Sequence, residues 1–104
     1  MTIRNIWFEF DEWAEPFDER DVNADVHFDL PDGTRWCASF FTYQNILTLA
    51  AKNQQTGECL SGQYFYADKP IFIDRMRKDS IIAAICDILK EGTPPDNAFT
   101  KVSD

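Results

Sequence analysis

The clearest pattern in the chain is an unbroken two-residue alternation over 22–30, VNADVHFDL. Val22, Ala24, Val26, Phe28 and Leu30 fall on one side, and Asn23, Asp25, His27 and Asp29 on the other. A period of two marks a strand, because successive side chains point to opposite faces. PDGT follows, with Gly33 where a tight turn needs positive φ. RWCASFF then runs back with Trp36, Ala38 and Phe40 available to one face. The two stretches are expected to pair as a hairpin. Ahead of them, IRNIWFEF alternates weakly and reads as a first strand with Ile6, Phe8 and Phe10 on a common face.

After the hairpin the period changes. Thr42 can cap a helix over roughly 43–54, in which Tyr43, Ile46, Leu47 and Ala50 share a side, and TGE ends it. GQYFYAD and PIFID read as two more short strands around a Lys69-Pro70 turn. KDSIIAAICDILKEG is an amphipathic helix with Ile81, Ile85, Ile88 and Leu89 as its stripe and Gly92 at its C-terminal cap. The order β-β-β-α-β-β-α with short connections predicts an α+β domain, an antiparallel sheet of about five strands with two helices packed on it. That domain is expected to span 1–93, with 94–104 a loose tail. Trp36, Phe40, Phe65 and Phe72 are expected in its core, while Trp7, Tyr64 and Tyr66 could face solvent or lie under another element.

Composition sharpens this picture in a few places. At 104 residues with 44% hydrophobic and 14% aromatic content, the chain can bury a core and is not of the disordered class. It has no run of about 20 apolar residues and no apolar leader with a small-residue cleavage site. The three cysteines, Cys37, Cys59 and Cys86, form no CxxC pair, so a reducing cytoplasm is the expected setting and neither disulfides nor structural zinc are. Charge is more telling once located. Residues 1–32 hold ten acids against two arginines, a net −8, whereas 33–104 hold eight of each sign. A surface of that sign repels phosphate and favours a basic partner over nucleic acid.

The charge is densest in FDEWAEPFDERD, residues 10–21, where Asp11, Glu12, Glu15, Asp18, Glu19 and Asp21 surround Trp13 and Phe17. Carboxylates standing in for phosphates, together with rigid aromatic anchors, are what an inhibitor of a nucleic-acid-binding cleft needs, and Pro16 stiffens the segment. The alternative is a loop folded back to plug one end of the core. The carboxylates beside Trp13 favour the anchor, since a buried plug would draw them toward low dielectric. Asp25, His27 and Asp29 would extend the acidic patch along the neighbouring strand. Those three could also hold a metal, as i and i+2 side chains stand about 7 Å apart on one strand face. With one histidine in the chain and no catalytic motif, a solvated strand face is the expected role. Cys59 in GECL is likewise expected to pack rather than to act as a nucleophile, its only candidate base lying on a distant strand. No enzyme activity, metal or cofactor is expected.

One stretch carries a resemblance. DGTRWCASFFTYQNILTLAAKNQQTGECLSGQYFYADKPIFIDRM, followed by the isoleucine-rich helix ending in LKEG, resembles a family of small bacterial immunity proteins from contact-dependent growth inhibition and related polymorphic toxin systems. The DG turn, FFTYQNI, TGECLSGQYFYA and the terminal helix carry it, over residues 32–92. The resemblance implies a cytoplasmic antitoxin that neutralises the toxin domain of a neighbour's effector, often a nuclease, by protein–protein interaction. Joined to the acidic segment, it leads to an expected 1:1 complex of a monomer with a basic nuclease toxin of ribonuclease type, whose substrate cleft the acidic surface occludes. An acidic regulatory adaptor or nucleic-acid mimic without a toxin partner, and a small metal-dependent enzyme, are the alternatives.

Overall fold

The alternating hairpin forms as its pattern requires. In the computed structural model, which describes residues 3–92 and 94–103, β2 (Asn23–Asp29) and β3 (Arg35–Thr42) pair antiparallel in unbroken register from Asn23↔Phe41 to Asp29↔Arg35. Gly33 turns the chain at φ +88°. Asp32 holds that turn by accepting hydrogen bonds from the backbone N–H and the hydroxyl of Thr34. Ala24, Val26, Phe28, Ala38 and Phe40 are all buried on one face of the pair, as expected, with Trp36 partly buried beside them. Below this face α3 (Lys78–Ile88) presents Ile81 and Ile85 fully buried, and Leu89 continues the stripe in a closing 3-10 turn that Gly92 caps. Each such side chain removed from water stabilises the fold by about 1.5–3 kcal/mol before entropy is counted.

The sheet has five strands in an α+β fold, and its membership departs from the sequence expectation in two places. GQYFYAD is not a strand: residues 63–69 are turn and irregular backbone, and only β4 (Pro70–Ile73) pairs. It pairs with β3 in parallel, the one parallel pairing among the described residues. The second departure is the expected tail. Thr100–Ser103 form β5, antiparallel to the first half of β3, while β4 takes its second half. Phe99, fully buried, meets Phe28 edge-to-face at 5.2 Å. Residues 94–103 therefore belong to the domain; the expected boundary at 93 falls outside the described residues.

α1 (Tyr43–Thr56) begins where expected, with the Thr42 hydroxyl accepting from the Asn45 N–H, and ends at Gly57 in the left-handed region. Its facing was not as expected. Tyr43 and Leu47 are exposed, the buried positions are Asn45 and Asn53, and no α1 side chain joins the core cluster. With the core face already covered by α3, α1 docks through polar contacts instead. Asn45 Nδ2 donates to Asp21, Asn23 Nδ2 donates to Asn45, and the Thr48 hydroxyl donates to Asp21. α2 (Glu58–Gly62) is a short left-handed turn in which Cys59, Leu60 and Ser61 all have φ between 50° and 57°.

Candidate partner-binding face

With α3 on one side of the sheet, the odd-numbered positions of β2 and β3 define the other. β1 (Arg4–Phe8) supplies its edge, antiparallel to β2. Between the pairs Arg4↔Asp29 and Trp7↔His27, β1 uses three residue steps where β2 uses two, so one residue is extra. Asn5 absorbs it at φ +46°, a left-handed conformation that asparagine tolerates better than most side chains. Beyond this β-bulge Trp7 lies on the open face with its ring 5.0 Å from that of His27. Asn5, Trp7, His27 and Arg35 frame a cleft of about 520 Å³ there, with Ile6 at its side.

Past Phe8 the chain leaves the sheet in a 3-10 turn, Glu9–Glu12. Two of its carboxylates fold back to the open face: Glu9 accepts the Asp25 backbone N–H at 2.8 Å, and Glu12 accepts the Trp7 indole N–H at 3.2 Å. The aromatics turn the other way. Phe10, Trp13 and Phe17 form one cluster, Trp13 edge-to-face on Phe17 at 5.4 Å and Phe17 5.1 Å from Phe10. Trp13 is half-buried and packs against the core, whereas Phe17 keeps 36% of its surface exposed. The segment is thus a plug at one end of the sheet and an aromatic surface together.

The expected acidic residues divide by what holds them. Asp11 pairs with Lys78 at 3.0 Å, and Glu19 lies 3.8 Å from both Arg75 and Arg77. Asp21 is committed to α1, as described. Asp29 accepts hydrogen bonds from Nε and Nη2 of Arg35 at 2.7 and 3.1 Å and from the Asn5 amide. The Arg35 hydrogen bond holds the Asp29 carboxyl below the usual range. Glu15 has no such partner among the described residues, Asp18 is bonded only to the Arg20 backbone within its own turn, and Asp25 accepts from the Ser39 hydroxyl while exposed. The negative charge open to a partner therefore concentrates at Glu12, Glu15, Asp18 and Asp25.

Cys37 stands opposite His27 in the ladder, and its thiol is pushed up to about 11, by burial first and then by the negative charges of Asp25 and Glu9. A thiol so rarely ionised is a poor nucleophile. Among the described residues no three His, Cys, Asp or Glu side chains converge as a metal-binding group.

Other aromatic residues lie outside the core. Phe72, expected in the core, is 46% exposed because its register with Phe41 puts it on the outer face. Phe65 packs edge-to-face on Phe41 and is only partly buried. Tyr43 stacks on Phe72, and Tyr64 and Tyr66 are exposed. Asn5 and Arg35 were missed altogether, because the alternation of Ile6, Phe8 and Phe10 gives no sign of the bulge. Compared with known protein families, curated proteins and solved structures, the chain finds no match. No helix among the described residues is long and apolar enough to cross a membrane.

Proposed function

We propose that the protein is an immunity protein: a bacterial cytoplasmic antitoxin that binds the toxin domain of a contact-dependent or related polymorphic toxin, without catalysis of its own. In this reading the toxin is a nuclease, and the acidic surface occupies its basic substrate cleft in a 1:1 complex. The observation that carries the reading is the uncompensated charge of Glu12, Glu15 and Asp18 around the Trp13–Phe17 edge, continued through Glu12 and Trp7 onto the open face at His27 and Asp25. Rigid aromatic area ringed by carboxylates is the complement of a phosphate-binding cleft. The resemblance of residues 32–92 to immunity proteins supports the same role.

Co-expression tests this directly. The C-terminal domain of a large secreted effector encoded beside the gene should arrest growth alone. Expressed with this protein it should be harmless and co-purify with it at 1:1. Substituting lysine at Glu12, Glu15 and Asp18 together should abolish both protection and co-purification. A toxin domain that neither binds the protein nor is neutralised by it would overturn the reading.

A further inference from the structure

The cleft at the β1 bulge adjoins the Trp13–Phe17 edge through Glu12 and Trp7, and three observations bear on what enters it. Its wall is an exposed tryptophan, 39% accessible, set by the bulge beside His27. The one cation in its lining, Arg35, is matched by Asp29 at 2.7 Å, which offsets much of its repulsion of a second cation. At the edge of that wall Glu12 accepts the indole N–H, and Glu9 and Asp25 lie together one step further along β2, outside the lining of the cleft.

We infer that this cleft receives a guanidinium group, an arginine side chain of the partner that stacks on the Trp7 indole and donates to the Glu12 carboxylate. The inference rests on the proposed function only in taking the partner to be basic. Tryptophan is the best aromatic platform for a cation within about 6 Å of the ring. A guanidinium is planar, weakly hydrated and able to stack and hydrogen-bond at once, where an ammonium is a compact, strongly hydrated point charge. The cleft, about 520 Å³ and open, admits the end of a long side chain without rearrangement. Bidentate binding of Asp29 by Arg35, with Asn5 on the same carboxylate, holds the far wall in place.

The test needs no toxin, so its outcome and that of the co-expression experiment are independent. Methylguanidinium chloride is titrated into the ¹⁵N-labelled full chain while the indole N–H signals of Trp7, Trp13 and Trp36 are followed. The Trp7 signal should shift saturably, with a Kd on the order of 10–100 mM as befits one cation–π contact helped by one carboxylate. Trp36, whose indole donates to the Thr34 hydroxyl, should respond no more than to sodium chloride. Methylammonium should bind about threefold more weakly. Glu12→Gln should weaken binding about fivefold, and Trp7→Leu should abolish it in a protein whose remaining spectrum is unchanged. Should Trp7→Leu not fold, Glu12→Gln and the methylammonium comparison decide alone. Equal shifts at all three indoles, a response matched by sodium chloride, or one undiminished by Glu12→Gln would overturn the inference.

Discussion

Trp13 sits with one side against Phe10 and Phe17 and another toward solvent, and that division sets what its removal does. A fully buried tryptophan truncated to alanine costs about 3–5 kcal/mol. For this half-buried ring, Trp13→Ala is expected to destabilise the free protein by about 2 kcal/mol, and Phe17→Ala, at the exposed rim, by about 1 kcal/mol or less. Urea denaturation of both variants checks the order; equal and negligible losses would make the cluster purely a surface feature. Asp29 gives a pH signature. Its carboxyl, held by Arg35 below the ordinary 3.8, binds a proton less readily folded than unfolded. It therefore stabilises the fold above about pH 4, and that contribution is lost as pH falls through the lowered folded value. Asp29→Asn should lower the urea midpoint at pH 7, and the gap from the parent should narrow steadily below about pH 4.

At the level of elements, the left-handed turn α2 is the most constrained piece of backbone. Each non-glycine residue held there costs about 1–2 kcal/mol. Gly62 is fixed twice over: its φ is +84°, and a Cβ there would lie 2.4 Å from the Ala50 carbonyl oxygen on α1. Gly57, at φ +86°, would meet nothing within 4 Å. Gly62→Ala is accordingly expected to cost on the order of 3 kcal/mol or more and Gly57→Ala only about 1, a contrast readable in paired thermal melts. β5 makes the complementary point about the chain's end. Phe99 fills the core against Phe28, so Phe99→Ala should cost about 3–5 kcal/mol, as a core deletion does and a tail substitution does not. A loss below about 0.5 kcal/mol in denaturant titration would refute the docking of β5.

For the whole molecule, measuring about 45 × 28 × 21 Å, the relevant quantity is where the charge lies. The first 32 residues carry the entire net −8, and the rest is neutral. Internal ion pairs divide that charge further: Glu19 and Asp11 face Arg75, Arg77 and Lys78, leaving Glu12, Glu15, Asp18 and Asp25 as the exposed source of field. Glu12→Gln, Glu15→Gln and Asp18→Asn together should slow association with a basic toxin about tenfold at low salt. Around 0.5 M salt, where the Debye length is about 4 Å, most of the difference should vanish. Stopped-flow association rates across salt concentrations measure this. Adding Glu19→Gln to the triple variant should slow association little further, because that charge is already shared by two arginines.

Some of this was written locally in the sequence. The β2–β3 hairpin, the Thr42 cap, the buried stripe of α3 and the concentration of acids before residue 33 follow from side-chain period, turn chemistry and charge, all set within a dozen neighbouring residues. Period says which face of an element is apolar, but not which element will cover it. Only the tertiary structure decided that β4 would lie parallel on half of β3 and β5 on the other half, and that α1, with α3 already on the core, would bury Asn45 and Asn53 and leave Tyr43 and Leu47 outside. The same holds for the site. Residue types placed carboxylates and aromatics in one segment, whereas the pairing of Glu19 with Arg75 and Arg77 and the cleft between Trp7 and Arg35 depend on contacts between residues far apart in the chain. Such contacts are fixed by how the elements pack and by the one-residue bulge at Asn5, which no local periodicity encodes.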